Sequence, residues 1–214
     1  VRAILPVDEF TENRYVVMLT EKGIIKKTSL DAFNNPRQAG IIALTTDLDD
    51  QLVSAKISDG TSDIFIATKE GMSIRFNEDD VRGMGRSARG VKGITLSKED
   101  SVIGMEVLEK DTKDTILMVT GKGYGKRSEP IEYRVQSRGG VGIITQKTTD
   151  KVGNVIGTTK VKPTQELILS TDQGQVIRMK ITDISVLGRN TQGVRLINLD
   201  EKQEFVCSLA VVDD

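Results

Sequence analysis

The chain contains no histidine, no tryptophan and one cysteine, Cys207. Histidine is the most frequent general base and the most frequent metal ligand in proteins, so both kinds of site lose their usual residue. A single cysteine forms neither an internal disulfide nor a zinc site, and we expect Cys207 to be a buried residue of an apolar strand. We therefore expect no metal and no cofactor, and only carboxylate chemistry remains open to an enzyme.

Long apolar runs and aromatic residues are also scarce. No stretch approaches the 18 apolar residues of a membrane span, and no signal peptide is visible, which predicts a cytoplasmic protein without a membrane partner. Aromatic residues make up 4% of the chain, too few for a platform on which unpaired bases stack. Lys and Arg number 30 against 31 Asp and Glu, so any binding of nucleic acid depends on how the bases are segregated.

What the chain does contain is a repeat. The pattern Thr-x-x-Gly, followed by a short run that ends in Lys or Arg, occurs four times, with its glycines at Gly23, Gly71, Gly123 and Gly174. The steps between these glycines are 48, 52 and 51 residues. A period near 50 residues is typical of architectures built from repeated supersecondary units.

Two further segments recur in the same order. The first pairs an arginine with a glycine three or four residues later, at Arg37 and Gly40, Arg89 and Gly93, Arg138 and Gly142, and Arg189 and Gly193. The second is an apolar run that closes each repeat, beginning at Gln51, Ser101, Asn154 and Glu204. Function should therefore be sought in what the repeats present together.

Each repeat is predicted to be all β. Runs rich in Val, Ile and Leu lead into the Thr-x-x-Gly turn, which predicts a hairpin, and a one-turn helix or loop follows at Ser29, Glu78, Glu129 and Ile181. The two later segments complete a four-stranded unit of about 50 residues, the size of a propeller blade. We expect one β-propeller or β-pinwheel domain over residues 1–214, open or incompletely closed, with blades at 8–60, 61–110, 111–163 and 164–214 and a leading strand at 1–7.

Basic residues gather at two places in each repeat. The second hairpin strand carries Lys26, Lys27, Arg75, Lys126, Arg127, Arg178 and Lys180, and the loop before the third strand carries Arg37, Arg82, Arg86, Arg89, Arg134, Arg138 and Arg189. In a propeller these equivalent positions form a band, which suits the phosphate backbone of duplex DNA. The alternative is that each base solubilises a strand or pairs with a nearby acid.

Other charged motifs have simpler explanations. The acidic clusters at 47–50, 77–80, 98–100 and 199–202 recur between strands and are interpreted as solvated turns. The glycine-rich stretch from Gly121 fails the Walker A pattern, because Arg127 follows Gly125 and Lys126 where Ser or Thr is needed.

At the level of whole motifs, the chain resembles a known family. VRAILPVDEF, the Thr-x-x-Gly hairpins, VRGMGRSARGVKGI, GYGKRS and ISVLGRNTQGV are similar to the C-terminal DNA-wrapping domain of the A subunit of bacterial DNA gyrase. That resemblance implies a β-pinwheel whose blades exchange strands and which wraps duplex DNA. It also implies, as partners, the B subunit of gyrase with the rest of the A subunit, in an A2B2 holoenzyme at the bacterial nucleoid. The four repeats correspond to the last four of the six blades usual in the family.

The signature box of the family, Gln-Arg-Arg-Gly-Gly-Lys-Gly, has one related segment in this chain. It is the loop Gln136, Ser137, Arg138, Gly139, Gly140, Val141 and Gly142, which keeps one arginine and all three glycines. With Lys126 and Arg127, Arg138 is the strongest single candidate for DNA contact, because glycines allow backbone to approach a phosphate closely.

The sequence thus predicts a non-enzymatic module that binds and bends duplex DNA within a type II topoisomerase. The predicted DNA-binding residues are Lys26, Lys27, Arg37, Arg75, Arg86, Arg89, Lys126, Arg127, Arg138, Arg178 and Arg189. Two alternatives remain: a propeller whose loops bind another protein, and the related C-terminal domain of topoisomerase IV. An enzyme would need paired carboxylates in a concave pocket.

Overall fold

The computed structural model describes residues 2–200 and 204–213, and this part of the chain is all β, as predicted. The first repeat holds β1 (Tyr15–Thr20), β2 (Ile24–Ser29) and β3 (Leu52–Ser58); the second holds β4 (Asp63–Thr68), β5 (Met72–Asn77), β6 (Val91–Lys92) and β7 (Val102–Leu108). The third holds β8 (Thr115–Thr120), β9 (Tyr124–Ser128), β10 (Ile143–Ile144) and β11 (Val155–Val161); the fourth holds β12 (Gln165–Thr171), β13 (Val176–Lys180), β14 (Val194–Arg195) and β15 (Val206–Asp213).

Helix is limited to single 3-10 turns at the four predicted places. They are η1 (Leu30–Phe33), η2 (Glu78–Asp80), η3 (Pro130–Glu132) and η4 (Ile181–Asp183), each directly after the second strand of a hairpin or one residue later. No helix in the described ranges is long and apolar enough to cross a membrane.

The Thr-x-x-Gly motif builds the hairpin turn. In the first repeat the Thr20 carbonyl accepts the N–H of Gly23 at 3.0 Å, and the Thr20 hydroxyl accepts the N–H of Ile24 at 3.1 Å. Gly23 has a φ of 81°, which a side chain would strain, and a Cβ there would lie 2.8 Å from Ile94. The motif is a turn signal because one residue satisfies two backbone donors and the other permits a positive φ.

The described strands form four small sheets, and the second, third and fourth repeats each give one strand to the sheet before it. The strand orders are β3-β1-β2-β6, β10-β5-β4-β7, β11-β8-β9-β14 and β13-β12-β15. From the repeat pattern we had predicted that all four strands of a repeat form one sheet. The short third strand instead pairs with the preceding hairpin, as the family resemblance implied, and β13 has no such partner among the described residues.

The register of these donated strands defines which residues are equivalent. Lys92 pairs with Ile24, Ile144 with Met72, and Arg195 with Tyr124. Two residues before each of them stands a glycine of positive φ: Gly90 at 101°, Gly142 at 78° and Gly193 at 79°. Our alignment of the second repeat on Arg89 and Gly93 was therefore wrong by three residues, since Arg86 and Gly90 occupy the repeated positions.

The chain divides into two compact units. The first comprises residues 1–66, 74–110 and 135–142, without the undescribed Val1, and contains the first sheet entire. Val53 of β3 packs against its main core, whose buried residues come mostly from β1, β2, β4, β5 and β7: Val17, Leu19, Ile25, Ile64, Ile66, Ile74, Phe76, Val81, Ile94, Val102, Met105 and Val107. Leu5 and Val7 cover a smaller cluster around Val16 and Met18. Residues 2–7 form no strand, contrary to the predicted leading strand; Val1 lies outside the described residues.

The second unit comprises residues 67–73, 111–134 and 143–214, without the undescribed residues 201–203 and 214, and it contains the third and fourth sheets. Its core is built from Leu117, Val119, Val161, Leu167, Leu169, Ile181, Ile184, Ile197 and Val206. Cys207 follows Val206 on β15 and is exposed, so its predicted burial was wrong. Successive residues of a strand face opposite sides, and Val206 takes the core side.

Candidate nucleic-acid interface

Two of the predicted DNA-binding lysines are buried completely. Lys26 and Lys126 occupy the third position after the turn glycine in the first and third repeats, and both have 0% exposure. The Lys126 ammonium donates to the carbonyl of Gly188 at 2.8 Å, to that of Arg189 and to the hydroxyl of Thr191 at 3.0 Å. Lys26 donates to the carbonyls of Ala43, at 2.7 Å, and Arg86.

Burial also changes the acid–base behaviour of these lysines. The pKa of Lys126 is lowered to about 8, chiefly by burial; Glu132 opposes the shift, and Arg189 makes the smallest contribution to it. Burial and the charge of Arg86 lower the pKa of Lys26. An ammonium in such a site is stable only because carbonyl and hydroxyl oxygens replace its water.

The next residue along the second strand is basic in every repeat, and it too is engaged within the fold. Lys27 lies 3.6 Å from the carboxylate of Glu78, and both side chains are buried. Arg75 binds Asp63 at 2.7 Å with 17% of its side chain exposed.

In the second unit the corresponding residues are Arg127 and Arg178. Arg127 is 8% exposed and donates from Nε to the carbonyl of Ile184 at 2.9 Å, and burial lowers its pKa. Arg178 forms an ion pair with Glu166, and its side chain is 60% exposed. A phosphate could reach Arg178 and the exposed Lys180 of the fourth repeat, but not the buried bases of the first and third repeats.

The repeated loop before each donated strand presents its arginine differently. Arg86, Arg138 and Arg189 each stand four residues before the positive-φ glycine, and all three side chains are half-buried. Arg138 donates to the carbonyl of Lys92 at 3.0 Å, and Arg189 donates to the carbonyl of Ile144 at 2.8 Å. These carbonyls occupy equivalent positions in the preceding donated strands. They hold each guanidinium without cancelling its charge, since a carbonyl is neutral.

Successive loops are joined by a repeated backbone hydrogen bond. Thr45 donates to the carbonyl of Ala88 at 3.5 Å, and Thr95 donates to that of Gly140 at 2.9 Å, both within the first unit. In the second unit Lys147 donates to the carbonyl of Thr191 at 3.0 Å. The loop arginines are thus carried by backbone of fixed geometry.

The box-like loop, residues 136–142, is one of these loops. Gln136 donates to the carbonyl of Arg75 at 2.8 Å, and Gly139 donates to that of Gly93 at 2.7 Å. Arg138 is tied at a second point, from Nε to the carbonyl of Asp80 at 2.8 Å. Backbone contacts fix the whole loop, and Val141 at its exposed end has 64% exposure.

The remaining predicted bases also lie on loops. Arg37 is exposed and lines an open groove of about 860 Å³ together with Arg86 and Ile42, all in the first unit. Arg89 forms an ion pair with Asp47 in which both side chains are more than half exposed. Such a pair is weak and can exchange for a phosphate.

Sequence reasoning missed two exposed bases on the donated strands, Lys92 and Arg195. The two residues occupy equivalent positions in the second and fourth repeats. Our alignment of the second repeat was wrong by three residues and did not show this equivalence. Arg195 is 5.3 Å from the ring centre of Tyr124 and donates to its hydroxyl at 3.0 Å, so it is partly held. No cluster of three metal-ligating side chains occurs in the described residues.

Four hairpin sheets of antiparallel strands, repeated with a period near 50 residues and linked by donated strands, define a repeat protein of the propeller class. The family model described as "DNA gyrase C-terminal domain, beta-propeller" matches residues 14–59, 62–109, 114–162 and 165–213. The chain belongs to this family.

Individual relatives agree. The chain is 45% identical over 190 residues to the A subunit of DNA gyrase from Haloquadratum walsbyi, covering 89% of this chain and 22% of that protein. It is 41% identical over 204 residues to the A subunit of DNA gyrase from Staphylococcus epidermidis, covering 95% and 23%. The chain thus spans less than a quarter of the length of these relatives.

Solved structures support the same fold. A DNA gyrase A C-terminal domain superposes with a TM-score of 0.83 at 25% identity, covering 95% of this chain and 67% of that one. A C-terminal domain of DNA topoisomerase IV superposes with a TM-score of 0.89 at 24% identity, covering 98% and 65%. The second likeness shows a shared fold only.

Proposed function

We propose that this domain is a non-enzymatic module that binds and bends duplex DNA as part of the A subunit of a type II topoisomerase of the gyrase type. Its contacts are the loop arginines Arg86, Arg138 and Arg189, with exposed neighbours on the same loops and donated strands. The observation that carries the proposal is the recurrence of these arginines at one position of three repeats in a chain of the gyrase family.

The physical argument is electrostatic. The guanidinium groups of Arg138 and Arg189 keep their positive charge uncancelled, because their hydrogen bonds go to neutral carbonyls. A guanidinium has five N–H donors, so bonds to one or two carbonyls leave others for a phosphate. Bending a short duplex by 40–90° costs roughly 1–6 kcal/mol, which several contacts acting together can offset.

The protein-interaction alternative draws on a specific observation. Pairing of Lys27, Arg75 and Arg178 with nearby acids is the outcome expected if the bases serve stability rather than DNA. We therefore remove Lys26, Lys27, Lys126 and Arg127 from the contacts proposed for DNA, and keep Arg37, Arg86, Arg89, Arg138 and Arg189. Arg75 and Arg178 could contact phosphate only by leaving their carboxylates.

Salt-dependent titration of a duplex tests the proposal. If about six phosphates are neutralised, log K should fall against log salt with a slope near −5. Replacing Arg86, Arg138 and Arg189 together with Gln should flatten that slope by up to about 2.7 and weaken binding similarly for all sequences. Fluorescence anisotropy at several salt concentrations measures both quantities.

The matched control replaces Lys110, Lys113 and Lys162 with Gln. These exposed lysines lie in turns that join one repeat to the next, and their removal changes net charge by the same amount. An equal loss of affinity in the control would show a nonspecific charge effect. A triple arginine variant that folds and keeps the wild-type slope would favour the protein-interaction alternative.

The larger setting is part of the same proposal. The B subunit of gyrase, with the remainder of the A subunit, would complete an A2B2 holoenzyme on bacterial DNA, in the cytoplasm at the nucleoid. Catalytic residues would then lie outside this domain. Supercoiling assays of a holoenzyme carrying the triple arginine substitution would test this, because loss of DNA bending should reduce supercoiling more than strand cleavage.

A further inference from the structure

Lys126 makes an unusual set of contacts for a lysine in a DNA-binding protein. Its ammonium has three N–H donors and three oxygens to receive them, from Gly188, Arg189 and Thr191. The side chain is fully buried, so no donor and no surface remain for a phosphate. All three acceptors belong to the loop that carries Arg189.

Lys26 repeats the arrangement in the first unit. It is fully buried, and its ammonium donates to the carbonyl of Arg86, which is the residue equivalent to Arg189. A second oxygen comes from Ala43 at 2.7 Å. The same bond from a buried lysine to the backbone of a loop arginine thus occurs twice, in separate parts of the fold.

We propose that Lys126 is a positioning residue for DNA binding: it anchors the loop 188–191 from beneath and thereby fixes the backbone of Arg189, and Lys26 does the same for Arg86. This inference rests on the proposed function, since it assigns the lysines a role through the arginines. Without the ammonium, the carbonyl of Arg189 and the hydroxyl of Thr191 lose the bond from Lys126, and the carbonyl of Gly188 keeps only the bond from the Thr191 hydroxyl. The loop can then place Arg189 in several ways. Ordering the arginine on binding would then cost entropy.

A double-mutant cycle tests whether Lys126 affects DNA binding through Arg189. R189A should weaken duplex binding by about eightfold at 0.1 M salt, the effect of one lost phosphate contact, and flatten the salt slope by about 0.9. K126M should weaken binding by up to about the same factor but keep a slope close to that of the wild type, because Arg189, once ordered, still neutralises its phosphate. The double variant should be no weaker than R189A alone, because the anchor has nothing left to position. K162M removes one exposed lysine elsewhere and serves as the charge control.

Loop order is measured separately by amide hydrogen exchange. K126M should speed exchange at Arg189, Asn190 and Thr191 and leave the β12 amides unchanged. If K126M fails to fold, K126I replaces it, since isoleucine stands at the equivalent position in the second and fourth repeats, at Ile74 and Ile177. Rescue of affinity by K126R would support a donor role over simple filling of space.

Measuring duplex affinity against pH tests the same role without a substitution at Lys126. The charged groups facing its ammonium are Glu132, on η3, and Arg189. Deprotonation removes one of the three donors, so duplex affinity should fall between pH 7 and 9 with a midpoint near the Lys126 pKa of about 8. The chain has no histidine, and a C207S background removes its only thiol. The same background with K126M should lack this step, while every other titrating group is common to both.

The outcomes separate the inference from the proposed function. Additive losses in the cycle, or a K126M variant with wild-type affinity and exchange, would overturn the anchoring role while R189A still weakens binding. Wild-type affinity in both R189A and the triple arginine variant would overturn the proposed function, and the inference with it.

Discussion

The first and third repeats carry a lysine where the second and fourth carry an isoleucine. Lys26 and Lys126 each donate to the loop above them, whereas Ile74 belongs to an apolar core and lies under Gly140, whose added Cβ would be 3.6 Å from it. The backbone framework is the same in these repeats. The difference teaches that one blade position can be filled either by a charged group, where loop oxygens accept its hydrogen bonds, or by an alkyl group within an apolar core.

The loops differ accordingly. Over Lys126, the carbonyls of Gly188 and Arg189 turn towards the ammonium. The equivalent carbonyls over Ile74 are those of Ser137 and Arg138, and an isoleucine side chain donates no hydrogen bond to them. The backbone bond from Thr95 to the carbonyl of Gly140 is not the difference, because Lys147 makes the equivalent bond to the carbonyl of Thr191.

The largest expected effect on stability comes from exchanging lysine and isoleucine at this position of the repeat. I74K should destabilise the fold by about 3–5 kcal/mol, because it puts an ammonium among apolar side chains of the first core. K126I should cost less, about 1–3 kcal/mol, since it leaves carbonyls without a donor but removes a buried charge. Urea unfolding followed by circular dichroism gives both values. Equal losses would mean that the loops do not distinguish the two residues.

The next effect depends on pH. Because burial lowers the folded-state pKa of Lys126 to about 8, the unfolded chain binds more protons above that pH. The free energy of unfolding should therefore rise by roughly 2–3 kcal/mol between pH 7 and 10 from this group alone. Thermal or urea unfolding of the wild type and K126M at several pH values isolates the contribution of Lys126 to the free energy of unfolding. Parallel curves for the two proteins would contradict it.

The smallest effect concerns the acid–base pairs of the second and fourth repeats. Asp63 with Arg75 and Glu166 with Arg178 are equivalent pairs, but the arginine side chains are 17% and 60% exposed. R75A should cost about 2 kcal/mol, because it leaves a buried carboxylate without its partner, and R178A less than about 1 kcal/mol. Urea unfolding in low and high salt should show that salt weakens the contribution of the Glu166–Arg178 pair to stability but not that of the Asp63–Arg75 pair. A larger loss for R178A would reverse this ranking.

Much of the fold could be predicted from the sequence. The Thr-x-x-Gly turns, the 3-10 turns and the four-fold period depend on short-range chemistry: a hydroxyl that caps a turn, a glycine that permits positive φ and alternation of apolar residues. The family resemblance rested on the same local motifs and is confirmed. Burial of Cys207 was predicted wrongly because an apolar strand does not reveal which of its faces is covered.

The sequence by itself determined the repeat, the hairpins and the basic residues that recur in them. Only the tertiary structure decided which bases are free, because a donated strand comes from the next repeat and covers the second strand of the hairpin before it. That cover buries Lys26 and Lys126, and it leaves the loop arginines half-buried, with Arg138 and Arg189 held by neutral carbonyls. Local pattern fixes where charge occurs along the chain, but its exposure depends on contacts between residues about 60 positions apart, such as Lys126 with Gly188 and Arg189.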